Sequence, residues 1–85
     1  MFRQSEVLNS SLPSRAKVVY VYLCDRANKE GCCWPSVGLI SRECNLSRRT
    51  VFRAISELRE NGYIATFHRI RKDGGWSSSM YMLDI

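Results

Sequence analysis

Apolar positions recur at helical spacing in three stretches of this chain. From Ser47 to Gly62, steps of about 100° per residue place Val51, Phe52, Ile55 and Leu58 in one broad sector and Arg49, Arg53, Ser56 and Glu60 opposite it. One face is built to pack and the other is offered outward. The Ser47 hydroxyl is placed to accept from free amides of the first turn, with Arg48 the first helical residue, and Gly62 stops the helix where a left-handed residue is usually required. Upstream, Val37, Ile40, Ser41 and Cys44 follow the i, i+3, i+4, i+7 rhythm of a shorter helix, and Ser36, after Pro35, is its expected N-cap. Between the two, Asn45 sits where the backbone must turn sharply, a position where Asn tolerates positive φ. Two helices this close in sequence have helix-turn-helix spacing. A third pattern runs from Pro13 or Ser14 to about Asn28, with Ala16, Val19, Tyr20, Leu23 and Ala27 on one stripe and Gly31 closing the segment. Val18, Val21 and Tyr22 lie off that stripe, so this helix is either covered on a second side or meets another chain.

The spacing changes after Gly62. Residues 63–70 are rich in β-branched and aromatic types and predict a strand; Arg71, Lys72, Asp73, Gly74 and Gly75 supply a turn, and residues 80–83 a returning strand. The connection then extends to about Ser79, longer than a minimal hairpin, which predicts a projecting tip. Cys32, Cys33, Trp34 and Pro35 leave room for a bridge strand of one or two residues, with Trp34 expected to anchor it in the core. Residues 1–11 have no clear period and predict an irregular N-terminal arm or a short edge strand, leaving residues 12–85 as one domain.

Charge sharpens this picture. The formal net charge is +5, and residues 47–72 hold seven Lys/Arg against two Glu, a surplus of five in that window. The remainder is close to balanced, so the basic residues form a localised face suited to a polyanion. Eighty-five residues suffice for one small core. The longest apolar run, residues 18–24, falls far short of the roughly 20 residues that cross a bilayer, and the N-terminus has no signal-peptide layout, so a cytoplasmic protein is expected. Cys24, Cys32, Cys33 and Cys44 lack the paired spacing of a zinc knuckle, and His68 is too isolated to complete a ligand set; no metal and no cofactor are expected, and the cysteines read as reduced thiols, Cys24 and Cys44 at positions that look buried. With no glycine-rich phosphate loop, nucleophile motif or acid pair at catalytic spacing, neither an enzyme nor a small-molecule substrate is indicated.

The order helix, short strand, helix, turn, helix, hairpin brings together Trp34-Pro35-Ser36, Leu46-Ser47-Arg48-Arg49-Thr50-Val51, Arg53-Ala54-Ile55, Leu58, Gly62-Tyr63-Ile64 and Tyr81. In these residues the chain resembles the bacterial winged helix-turn-helix domains of transcription regulators and of plasmid and phage replication initiators, over residues 12–83. The resemblance implies a mainly α fold with a small β-hairpin wing, that is, three helices plus a two- or three-stranded antiparallel sheet. It departs at Ser41, where Ala is usual, and at Asn45, where Gly is usual; both replacements are small or turn-compatible. Gly38 inside the shorter helix costs up to about 1 kcal/mol against Ala, and the sequence supplies no reason for it.

The resemblance also places Ser47, Arg48, Arg49, Thr50 and Arg53 at or near the major groove of double-stranded DNA. Arg49 and Arg53 are the residues suited to base edges, because a guanidinium bonds guanine O6 and N7 bidentately, while Ser47 and Thr50 suit phosphates near the helix N-terminus. Arg69, Arg71 and Lys72 fall in a wing at residues 69–79 that would reach the adjacent minor groove or backbone. Ordinary solvated surface is the competing reading for all of these charges, stronger for the wing than for the helix. Arg15 and Lys17 could add a phosphate contact, and Trp76 is expected to pack beneath the wing. The implied function is sequence-specific duplex-DNA binding by a transcriptional regulator, or by a domain of a plasmid or phage replication initiation complex; a homodimer or a transcription or replication partner protein would accompany it.

Overall fold

The structure, a computed structural model, describes residues 3–70 and 76–83, with side chains described for residues 3–67 and 80–83. Helices α1 (Gln4–Leu8), α2 (Ser14–Arg26), α3 (Val37–Cys44) and α4 (Arg48–Glu60) pack with strands β1 (Cys32–Cys33), β2 (Ala65–Ile70) and β3 (Trp76–Met82). The sheet is antiparallel in the order β1-β3-β2. This is the architecture of a winged helix-turn-helix domain, with one helix more than the three expected.

That additional helix corrects the expectation of an irregular arm. Residues 4–8 form one short turn of helix whose Val7 is buried in the same core as α2 and α4. Its entry is tied down by polar contacts: the Arg3 amide donates to the Tyr20 hydroxyl at 3.1 Å, and the Arg3 guanidinium donates to the Gly62 carbonyl at 2.7 Å while lying 4.5 Å from the centre of the Tyr63 ring. A five-residue helix has too few positions to show a period, which is why pattern alone passes over it.

The core is built from Val7, Ala16, Val19, Tyr20, Leu23, Ile40, Val51, Ala54, Ile55 and Leu58 of the helices, closed by Cys33, Ile64, Tyr81 and Leu83 from the sheet and its flanks. Alternation along the strands sets which sheet residues enter it. Cys33 and Thr66 both stand opposite Tyr81, on the face turned to the helices, whereas Cys32 and Ala65 stand opposite Met82 on the other face. Burial pushes the Cys33 thiol up to about 11, so this cysteine behaves as a small apolar group. Cys24 and Cys44, which the sequence placed inside, are only half-buried.

Two aromatic residues are displaced from their expected positions. Trp34 does not anchor the core; it is 57 % exposed, because the inward position of that bridge strand is filled by Cys33. Phe52 is 58 % exposed, and Ala54 takes the fourth buried position on α4. The hairpin differs as well: β3 begins at Trp76, so Ser77, Ser78 and Ser79 lie in the strand rather than in a loop, and the ladder slips by one residue between Arg69 and Ile70. The expected packing of Trp76 and the tip at residues 71–75 lie outside the described residues. Helix α2 ends at Arg26 with Ala27 as its cap, before the expected boundary at Asn28.

Candidate nucleic-acid interface

The turn that joins α3 to α4 fixes the site. Asn45 caps α3 in the left-handed region at φ 56°, and its amide donates to the Ser41 carbonyl. The Leu46 amide donates to the same carbonyl at 3.0 Å, while the Ser41 hydroxyl donates back to the Leu46 carbonyl at 2.5 Å. Ser41 therefore clasps the turn from both sides, which gives a role to the serine that stands where Ala is usual. The two departures from the family pattern act on the same three-residue connection.

Both helices have side-chain caps at their starts. The Ser36 hydroxyl accepts from the Leu39 amide at 3.0 Å, and the Ser47 hydroxyl accepts from the Thr50 amide at 3.1 Å. Ser47 and Thr50 also share a hydroxyl–hydroxyl bond at 2.8 Å. At its other end α4 closes with the paired bonds of a Schellman motif: the Tyr63 amide donates to the Leu58 carbonyl at 2.9 Å and the Gly62 amide to the Arg59 carbonyl at 3.1 Å, with Gly62 at φ 78°. The helix is thus capped at both ends against fraying, and its buried residues Val51, Ala54, Ile55 and Leu58 set which face turns outward.

On that outer face Arg48, Arg49 and Arg53 are exposed, with Thr50 and Ser56 half-buried. Among the described residues Arg49 and Arg53 make neither an ion pair nor a hydrogen bond. Their guanidinium groups point to solvent from a fixed rod. Arg48 lies differently: its Nη2 is 3.1 Å from the point a Cβ on Gly38 would occupy. A side chain at position 38 would thus need only a small shift of the exposed Arg48 guanidinium, and nothing in the structure explains why this position is glycine. The basic residues of the wing are placed less fully. Arg69 lies in β2, while its side chain and all of Arg71 and Lys72 fall outside the described residues.

Two of the acidic residues near this face, Glu57 and Glu43, are engaged elsewhere, while Glu60 stands exposed at its C-terminal end. Glu57 receives Arg15 through two bonds, at 3.0 Å from Nε and 2.6 Å from Nη2, locking α2 to α4. This corrects the expectation of Arg15 as a phosphate contact, since its fork is already filled. Glu43 accepts from the Tyr22 hydroxyl at 2.7 Å and pairs with Arg26, locking α2 to α3. The Tyr22 bond, with Arg26 beside it, holds the Glu43 carboxyl below the usual glutamate range. Both cross-links are long-range pairings that no single-residue pattern reveals.

Alongside α4, between it and the sheet, a cleft of about 130 Å³ is lined by Val37, Phe52, Ile55, Ser56, Arg59, Thr66 and Tyr81. Drug-sized small-molecule sites run to about 300–1,000 Å³, so this cleft lies below that range. Among the described residues no three His, Cys, Asp or Glu side chains come together as a metal site, and no helix is long and apolar enough to cross a membrane.

A protein-family model described as a helix-turn-helix domain matches residues 10–64, from the approach to α2 through the end of α4 and its cap. The chain is also similar to Protein YmfN of Escherichia coli (strain K12), with 32 % identity over 65 residues. That match takes in 76 % of this chain and 14 % of the relative, so the chain spans about one seventh of the length of that protein.

Proposed function

Since this chain belongs to the helix-turn-helix domain family, we propose that it binds double-stranded DNA in a sequence-specific manner, with α4 in the major groove and the 69–79 wing on the adjacent backbone or minor groove. The observation that carries this reading is the pair Arg49 and Arg53, free of protein partners among the described residues and projecting from a helix fixed at both ends. Guanine edges are the base positions that two such guanidinium groups would bond. Ser47, Thr50 and Arg48 gather at the N-terminal end of α4, where free amides favour phosphate, and serve as backbone contacts. Arg69, Arg71 and Lys72 take the wing-side contacts.

Transcriptional regulation is the role this arrangement fits: a short helix reads few base pairs, so useful specificity calls for a dimer or for tandem sites. A second role, as a DNA-binding or interaction domain in a plasmid or phage replication initiation complex, is supported by one observation, the 45 % exposure of Val18 on α2. Tyr22 adds less to that surface than its sequence position suggests, because its hydroxyl is bound to Glu43. Self-association lost on Val18→Glu, with DNA binding kept, would favour the second role.

Selection from a randomised duplex pool at near-physiological salt tests the DNA-binding reading. An enriched motif is expected. Arg49→Ala and Arg53→Ala should each weaken binding to it by roughly 1–3 kcal/mol and relax base preference, whereas Lys72→Ala should weaken all sequences alike and lower the salt slope by about 1. Unchanged affinity in the double arginine variant would overturn the assignment of this face.

A further inference from the structure

We infer that Phe52 is an apolar base-reading residue of α4, contacting the C5-methyl group of a thymine beside the bases bonded by Arg49 and Arg53. The inference rests on the reading of α4 as a duplex-DNA recognition helix and names a specificity determinant within it. Phe52 is 58 % exposed, although the α4 core of Val51, Ala54, Ile55 and Leu58 is complete without it. On a helix of 3.6 residues per turn it lies about 60° from Arg49 and about 40° from Ser56, on the sheet side of the outward face. Its ring forms one wall of the cleft shared with Val37, Ile55 and Tyr81.

The residues around the ring decide what can cover it. Arg48 and Arg49 precede it by four and three positions, Arg53 follows directly, and Arg59 lines the same cleft. Of the two carboxylates of α4, Glu57 lies on the far side of the helix and is held by Arg15, and Glu60 is exposed but about two turns further along. An apolar protein surface closing over Phe52 would strip water from several guanidinium groups without offering them a partner, a large penalty. Duplex DNA meets both requirements: phosphates and guanine edges take the arginines, and the only apolar group that a base pair presents in the major groove is the thymine methyl. Charge complementarity therefore favours DNA over a protein partner at this face.

The test uses the whole chain and the duplex motif selected by it. Each thymine of that motif is replaced in turn by deoxyuridine, which removes the methyl group and leaves the Watson–Crick edge unchanged. At one position wild-type binding should weaken about threefold to fivefold, the amount expected for one buried methyl. Phe52→Ala should be indifferent to deoxyuridine there, Phe52→Leu should keep part of the effect, and both should retain the wild-type salt slope. Phe52 is exposed, so these variants should melt like the wild type. Wild-type indifference to deoxyuridine at every thymine overturns the inference while leaving the DNA-binding reading intact. Failure to retain any duplex at low salt overturns both. If Phe52→Ala instead converts an oligomer of the free protein to monomer and leaves base preference unchanged, a second copy covers this face and the inference falls.

Discussion

Asn45 shows how much a single residue can carry. Its left-handed backbone, φ 56°, is the one positive φ at a non-glycine residue among the described residues, and it reverses the chain between α3 and α4. Left-handed geometry costs most residues roughly 1–2 kcal/mol, and Asn much less because its short side chain bonds locally. Asn45→Ala should therefore lower unfolding free energy by about 1 kcal/mol, read by denaturant titration, and Asn45→Gly should leave it equal or higher. A neutral Ala variant would mean that the left-handed backbone costs alanine no more than asparagine at this turn. Asn45, Ser36 and Ser47 were legible because turn and cap chemistry is local: side chain and backbone partner are within a few residues. The neighbour of Gly38 was not, since the Arg48 guanidinium, ten positions away in sequence, comes within 3.1 Å of the point its Cβ would occupy only in the fold.

Elements introduce contacts that cross between helices. The α2–α3 link through Tyr22, Arg26 and Glu43 responds to pH in a definite direction. The Tyr22 hydroxyl bond and then Arg26 depress the folded-state pKa of Glu43, so its contribution is present above the ordinary glutamate value and is lost as pH falls through the lowered folded value. Glu43→Gln should thus lower the melting temperature at pH 7, with the gap to wild type closing in the acid range. A gap independent of pH would show that the charge of Glu43 contributes nothing to stability. The helical stripe on α4 was read correctly at Val51, Ile55 and Leu58 and failed at Phe52. Periodicity gives an angle on the helix, but the width of the buried sector depends on what is packed against it. Ala54 is fully buried, whereas Phe52 stands 58 % exposed beside the cleft it shares with Thr66 and Tyr81.

At the scale of the molecule, six elements, α1, α2, β1, α3, α4 and β3, close one core. Val7 from α1 is fully buried, so the first turn of chain is part of the folding unit. Val7→Ala removes two methyl groups and should cost about 1.5 kcal/mol in a denaturant titration with an unchanged transition slope. A variant as stable as wild type would show that α1 is peripheral. The order of α2, β1, α3, α4 and the hairpin, the caps and turn of the central motif, and the concentration of arginine on one face of α4 were all legible in the chain before it folded. These are set by periodicity, by local hydrogen bonding and by charge, which act over a few residues. The helix at residues 4–8, the exposure of Trp34 and Phe52, the pairing of Arg15 with Glu57 and the approach of Arg48 to Gly38 came only with the closed fold. Each depends on which surfaces meet after the chain has closed, and no short-range pattern carries that information.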